Sequence, residues 1–297
     1  MVPAKTPQDL IYDHFLNTTP LDEGGCLLDA LLWRGFLAFR DEHGIWLGKG
    51  SHVADIEVLR LIESLEVNVI DEDSTRAAAV RYRGNDLFDV AKKIIFLPQH
   101  QGFSRFGLGG WNQKSGWVQY RSMRWGAKKA VCPAVKLDSE YVYDALDIGV
   151  ALLVKALPLI RVATALCCDG HMARSAHVSL YYSWDTIWAE MVLNAIGTQT
   201  PNSDWNWNAS DNSYSLTISP RHKGAWLETY IDIQNVARQL LNQHLIDVIG
   251  QARERILNTL LGRETVSLSE FRGAAKSIKA DIELAARTVS AGAIIPH

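Results

Sequence analysis

Over the last quarter of the chain, apolar residues recur at three- and four-residue steps: Ile233, Val236, Leu240, Leu241, Leu245, Val248, Ile249, Ile256 and Leu260. That spacing puts them on one face and predicts helix from about Gly224 to Leu261. Gly250 is the expected break, because glycine weakens a helix interior by ~1 kcal/mol. Ser267 and Glu270 have the spacing of a capping box for a last helix that carries Phe271, Ala275, Ile278, Ile282 and Ala285. Together these predict a long αα-hairpin, which either packs on its own domain or pairs with another subunit.

Upstream the pattern is mixed. Thr6 and Pro7 open a short helix, and Cys26 to Arg40 reads as a second with a wide apolar face. Ser51 looks like the N-cap of a third, running to about Leu65, and Asn85 like the cap of a fourth reaching Lys93. Val67 to Ile70 and Ala77 to Tyr82 read as short strands, and Trp117 to Met123 as the best strand of the middle region. Asp138 or Ser139 starts a helix carrying Tyr143, Leu146, Val150, Leu153 and Val154, which Pro158 ends. Arg161 to Cys167 is β-rich, Asp169-Gly170 supplies a turn, and Ala176 to Tyr182 alternates as a strand should. Trp184 to Ile196 returns to helix, Gly197 to Ser213 reads as a polar loop, and Tyr214 to Ile218 as a strand. The prediction is an α+β fold of mixed helices and short antiparallel strands with a C-terminal helical hairpin. Its regions are a mainly helical 1–95, an α+β 96–220 and a helical arm 221–297.

Composition narrows the class. A chain of 297 residues, 47% hydrophobic and 21% charged, can bury a large core. A net charge of −3 gives no global attraction to nucleic acid. Cys26, Cys132, Cys167 and Cys168 match neither a disulfide framework nor a paired zinc motif, so reduced thiols are expected. The longest apolar run, Ile148 to Ile160, holds Lys155 and Pro158 and falls short of the ~18 residues a membrane span needs. The first ten residues lack the basic and apolar segments of a signal peptide. A cytoplasmic protein with no membrane partner is therefore expected.

Three groups of residues invite a chemical reading. Cys168, Asp169 and His171 crowd one turn, and His177 follows on the next strand. These residue types bind zinc, and a thiolate beside a histidine can also act as a nucleophile. The structural alternative is an Asx-type turn, with Asp169 bonding local N–H groups and Gly170 at positive φ. The second group lies between Val90 and Leu137, where no Asp or Glu occurs and cations alternate with aromatics and glycines. Arg121, Arg124, Trp125, Lys128 and Lys129 form its densest part. Such a stretch is a sheet edge whose cations are solvated or pair with the acidic run Asp41 to Asp89 of the same chain, or it meets an acidic partner surface, or it stacks on and neutralises nucleic acid. Trp205 and Trp207 alternate in polar surroundings, either folded back as a strand edge or exposed as anchors for a partner. Among established motifs, there is no phosphate loop, dinucleotide fingerprint, nucleophile elbow or kinase signature.

The run from Leu146 to Trp184 comprises a helix, Thr164, Cys168-Asp169-Gly170-His171, a strand and then Trp184. It resembles a pattern in uncharacterised proteins of phages and mobile elements, and covers about an eighth of the chain. In length, mixed architecture and helical C-terminal arm, the chain is similar to the phage anti-Gabija proteins, which disarm a bacterial nuclease–helicase defence complex. No residue-level motif carries this second resemblance, so it assigns no functional residue. It implies a non-enzymatic, cofactor-free inhibitor in the bacterial host cytoplasm. Such a protein would form homo-oligomers, bind a host protein complex through large interfaces and block DNA handling. Two other readings stay open. One is a metal-dependent enzyme acting on nucleic acid or nucleotides, with zinc at Cys168, Asp169, His171 and His177. The other is a nucleic-acid-binding module using Arg121 to Lys129.

Overall fold

A computed structural model describes residues 5–20, 22–48, 51, 53–70, 76–97, 104–107, 121–123, 135–136, 142–143, 146–162, 164–180, 183–197, 200–210, 213–260 and 267–292. Thr6 and Asp9 cap the first helix, α1 (Pro7–Thr18), reciprocally. The Asp9 N–H donates to Thr6 Oγ1 at 3.2 Å and the Thr6 N–H donates to the Asp9 carboxylate at 2.7 Å. Asp22 caps α2 (Glu23–Arg34) by accepting from the Gly25 N–H at 2.9 Å. The helix predicted over Cys26 to Arg40 stops at Arg34, because Gly35 turns left-handed at φ 91°. A Cβ at Gly35 would sit 2.4 Å from the Ala151 Cβ, so the glycine also admits a close approach of the central region.

Past Gly35 the chain forms a hairpin that the sequence pattern did not reveal, β1 (Ala38–Asp41) and β2 (Gly44–Gly48). The Asp41 carboxylate ties its turn by accepting from the His43 N–H and from Trp46 Nε1, each at 2.8 Å. After α3 (Val53–Arg60), β3 (Leu65–Val69) and β4 (Arg76–Tyr82) complete a four-stranded antiparallel sheet of order β1-β2-β4-β3. Helix α4 (Leu87–Ile95) is capped by Asp86, one residue later than predicted, and packs on α2.

The second sheet begins with β5 (Ser104–Gly107) and β6 (Arg121–Met123). The ladder of β7 (Val135–Lys136) and β8 (Val142–Tyr143) stands apart from it. The start of the helix predicted from Asp138 or Ser139 lies outside the described residues. Tyr143 lies in a strand, and α5 (Ala151–Ala156) covers only the end of the predicted span. Pro158 does not stop the chain's winding, since it stands in the first turn of a 3-10 segment, Leu157–Ile160, where its missing N–H is harmless.

Strands β9 (Thr164–Cys168) and β10 (Ala176–Leu180) follow, then α6 (Ser183–Ile196). Next come β11 (Ser203–Ser210) and β12 (Ser213–Pro220), giving the antiparallel order β11-β12-β10-β9-β5-β6. The expected polar loop before Tyr214 is thus largely an edge strand. Its Asp, Asn and Ser content suggested a loop, but Asp204, Asn206 and Asn208 are exposed while Trp205, Trp207 and Ala209 alternate with them against the core.

The C-terminal helices are α7 (Trp226–Gln239), α8 (Gln243–Leu260) and α9 (Leu268–Gly292). The break falls at Leu240–Asn242, where Asn242 Oδ1 accepts from the Leu245 N–H at 3.1 Å. Gly250 instead sits inside α8 with open space where a side chain would be. The Ser267–Glu270 capping box forms as expected, and Phe271, Ala275, Ile278, Ile282 and Ala285 are all buried. Helix α9 packs on α8 and on α6. One continuous core joins the three sequence regions, from Phe15 and Val80 through Val178 and Trp188 to Ile233 and Ile282. The fold is α+β. Among the described residues no helix is long and apolar enough to cross a membrane.

Candidate metal centre

Strand β9 delivers Cys168 to the start of a tight turn back into β10. Asp169 closes that turn by accepting from the His171 N–H at 2.9 Å, the Asx arrangement expected from the sequence. Gly170 takes φ 80°, where a Cβ would press on the Ser175 backbone at 3.0 Å. His171 and Met172 are left-handed as well, at φ 51° and 58°, which costs of order 1 kcal/mol or more for each non-glycine residue. The turn is therefore held in a conformation that its residues do not favour.

Four side chains meet here. Asp147, Cys168, Asp169 and His171 each offer one ligand atom, all within 4.8 Å of one another. Asp147 and Asp169 are 0% exposed and Cys168 1%, while the His171 side chain is 33% exposed. Asp147 comes from the segment before α5 and anchors to the turn by accepting from the Asp169 N–H at 3.3 Å. Asp169 Oδ2 accepts in return from the Gly149 N–H at 3.3 Å. Gly149 has to be small, since a Cβ there would lie 2.5 Å from the Tyr230 ring and 2.9 Å from the Asp169 Cβ. The Tyr230 hydroxyl donates to the Asp169 carbonyl oxygen at 3.4 Å, so α7 braces the turn from beneath.

The two nitrogens of His171 face different partners. Nε2 lies 3.5 Å from Cys168 Sγ and 3.7 Å from Asp147 Oδ2. Nδ1 lies 3.2 Å from Asp169 Oδ1. With zinc bonds of about 2.3 Å to sulfur and 2.0–2.1 Å to nitrogen or oxygen, the edges of a tetrahedron are about 3.3–3.6 Å. The Sγ–Nε2 spacing matches such an edge, and Nε2 to Asp147 Oδ2, at 3.7 Å, is slightly longer than one. The contact between Nδ1 and Asp169 matches the carboxylate that commonly orients a metal-bound histidine.

The electrostatics fit the same picture. Burial, and then the charge of Asp169, push the Asp147 carboxyl well above the ordinary carboxylate range. Asp147 Oδ1 is buried and has no hydrogen-bond partner among the described residues. Hydrogen bonding to Asp169 and then to Cys168 raises the His171 imidazole to about 10. Burial works to raise the Cys168 thiol, but hydrogen bonds from His171 and the Gly170 N–H outweigh it and hold the thiol below its ordinary value. An ion bound among these groups would take the place of the protons that Asp147 and His171 hold without it, as metal ligands must be deprotonated.

Of the sequence candidates, Cys168, Asp169 and His171 converge. His177 does not join them: its Nε2 lies 2.9 Å from Ser179 Oγ and its Nδ1 3.4 Å from Thr217 Oγ1. The residue that the sequence pattern did not reveal is Asp147, 22 positions before Asp169. Its one signal was a lone carboxylate in the apolar run Leu146 to Val154. Trp205 and Trp207 lie half-buried on β11. Trp205 Nε1 donates to Thr200 Oγ1 at 3.2 Å, and Trp207 Nε1 is buried with no partner among the described residues. The backbone of Arg121 begins β6, and Arg124, Trp125, Lys128 and Lys129 lie outside the described residues. Comparison with protein families, with curated proteins and with solved structures finds no match.

Proposed function

We propose that this chain is a metalloprotein holding a zinc-class divalent ion through Cys168 Sγ, His171 Nε2 and the Asp147 carboxylate. Asp169 fixes the imidazole from its far side. The observation that carries this reading is the division of labour at His171, with one nitrogen turned to two ligand-type atoms and the other to a carboxylate. A thiolate and one carboxylate balance the two positive charges of the ion, and the donor set of sulfur, nitrogen and oxygen suits zinc better than magnesium or calcium. Three protein ligands leave a fourth position for water or a substrate oxygen, the arrangement of centres that activate water. The chemistry this favours is metal-assisted hydrolysis.

Elemental analysis of the purified chain tests the reading. About one zinc per chain is expected, lost in Cys168→Ser and Asp147→Asn. Asp169→Asn should keep the ion with affinity reduced about 10–100-fold, the usual penalty for losing an orienting partner. A metal-free wild type, or an Asp169→Asn variant as empty as Asp147→Asn, would rule out this assignment of roles.

A role as an inhibitor acting through large interfaces is a second proposal. What supports it is the exposure of Leu257 (49%) and Leu284 (67%) on the C-terminal hairpin. Light scattering together with pull-downs from bacterial lysate tests it, and a strict monomer that captures no partner counts against it.

A further inference from the structure

Strand β11 ends the six-stranded sheet, with β12 on one side of it and no described strand on the other. Its residues pair with β12 without a register shift, from Ser203 opposite Pro220 to Ser210 opposite Ser213. That regular pairing fixes which backbone groups face outward. Just before the strand, the Arg221 N–H donates to the Asn202 carbonyl oxygen at 2.9 Å. Pro220, which has no N–H to give, stands opposite Ser203. Hydrogen-bonded and non-hydrogen-bonded pairs alternate along an antiparallel ladder. The even-numbered residues of β11 therefore turn their N–H and C=O groups to β12, and the odd-numbered ones turn theirs away. Ser203 is 0% exposed, and its carbonyl oxygen accepts from Thr200 Oγ1 at 3.3 Å. Trp205, Trp207 and Ala209, each partly exposed, are left with outward-facing backbone.

Edge strands of natural proteins are typically short, or carry Lys, Pro or a bulge that blocks a second strand. Strand β11 has eight residues, no bulge, and no Lys, Arg or Pro. Its single charge, Asp204, is ion-paired with Arg221 at 2.8 Å. The exposed side chains of its middle are the uncharged Asn206 and Asn208. An edge of this kind is a template for another strand.

The strand fits a second copy of itself. Antiparallel pairing about a two-fold axis through Trp207 sets Trp207 against Trp207 and Trp205 against Ala209. All three outward residues then meet outward residues and exchange N–H···O bonds. An axis through Asn206 would instead bring Ala209 against the covered Ser203. With the axis at Trp207, Asn206 of each copy faces Asn208 of the other, and Asp204 falls opposite Ser210, so no like charges meet.

We propose that β11 is a homodimer interface: two copies of this chain join edge to edge through it, antiparallel about Trp207, and their two sheets become one. The pairing uses no residue of the metal centre. Sedimentation of the full-length chain over a dilution series is expected to show a monomer–dimer equilibrium. The double variant Asn206→Lys, Asn208→Lys sets ammonium against ammonium on both sides of the axis and should weaken the dimer at least about tenfold. Asn206→Asp with Asn208→Asp should weaken it likewise. An equimolar mixture of the two double variants should regain a dimer, in which opposite charges face each other. Both substituted positions are exposed, so the monomer fold is expected to stand, which circular dichroism checks. Hydrogen exchange of the unsubstituted chain gives a reading that needs no variant. The Trp205, Trp207 and Ala209 amides should be protected at high concentration and exchange at least about tenfold faster on dilution. The proposal is overturned by a chain that stays monomeric at every concentration, or by a dimer that both double variants leave unchanged. A mixture of the variants that stays monomeric overturns it too, as do outward amides whose exchange ignores concentration.

Discussion

Stripping the ion with a chelator at neutral pH is expected to lower the melting temperature by roughly 8 °C or more. An ion present at about a thousand times its Kd stabilises the folded state by about 4 kcal/mol, provided the unfolded chain does not bind it. In a chain of this length each kcal/mol moves Tm by about 2 °C. Asp147 and Cys168 belong to separate elements and meet only in the folded protein, so the proviso holds well here. Adding zinc should restore the melt and magnesium should not, because a thiolate and an imidazole favour the softer ion. In Asp147→Asn the chelator should have no effect, since the ion is already absent. Calorimetry on both proteins, with and without chelator, makes the check. A chelator shift that survives in Asp147→Asn would move the ion to another site.

The second large effect is expected far from that centre. Lys155 on α5 is 6% exposed and its Nζ lies 2.6 Å from Asp55 Oδ1, itself on a residue only 2% exposed. The ammonium also stands 4.9 Å from the centroid of the Phe36 ring. Burial pulls the Lys155 amine below its ordinary value, and the Asp55 carboxylate opposes that pull. Lys155→Ala should cost about 3–5 kcal/mol, most of it from removing the ammonium that faces the buried Asp55 carboxylate at 2.6 Å. The double change Lys155→Met with Asp55→Leu should recover most or all of the loss, because two apolar side chains need no desolvation of charge. Urea denaturation of the single and double variants separates these outcomes. Equal losses in both would mean that packing volume, not charge, dominates the site.

Local signals were legible in the sequence. The three- and four-residue apolar spacing of α9 and its Ser267–Glu270 cap needed only neighbouring residues. The alternation of β10 and the Asx turn at Asp169 were equally local. What escaped depends on distant parts of the chain. Gly35 ends α2 where Ala151 must come close, and nothing near Gly35 announces that contact. The edge strand β11 has the polar composition of a loop, and only its pairing with β12 and the packing of Trp205 and Trp207 make it a strand. The metal centre was half visible. The turn supplied three of its residues, but Asp147 arrives through the packing of the segment before α5 against β9. His177 looked equivalent to His171 by residue type, but on β10 it bonds Ser179 and Thr217 instead.

The most direct test of the metal centre is X-ray absorption at the zinc edge on the purified, zinc-loaded chain. The arrangement of Cys168, His171 and Asp147 predicts one sulfur at about 2.3 Å and nitrogen or oxygen neighbours at about 2.0–2.1 Å, with the sulfur lost in Cys168→Ser. A zinc shell without sulfur, or one unchanged in Cys168→Ser, would contradict it.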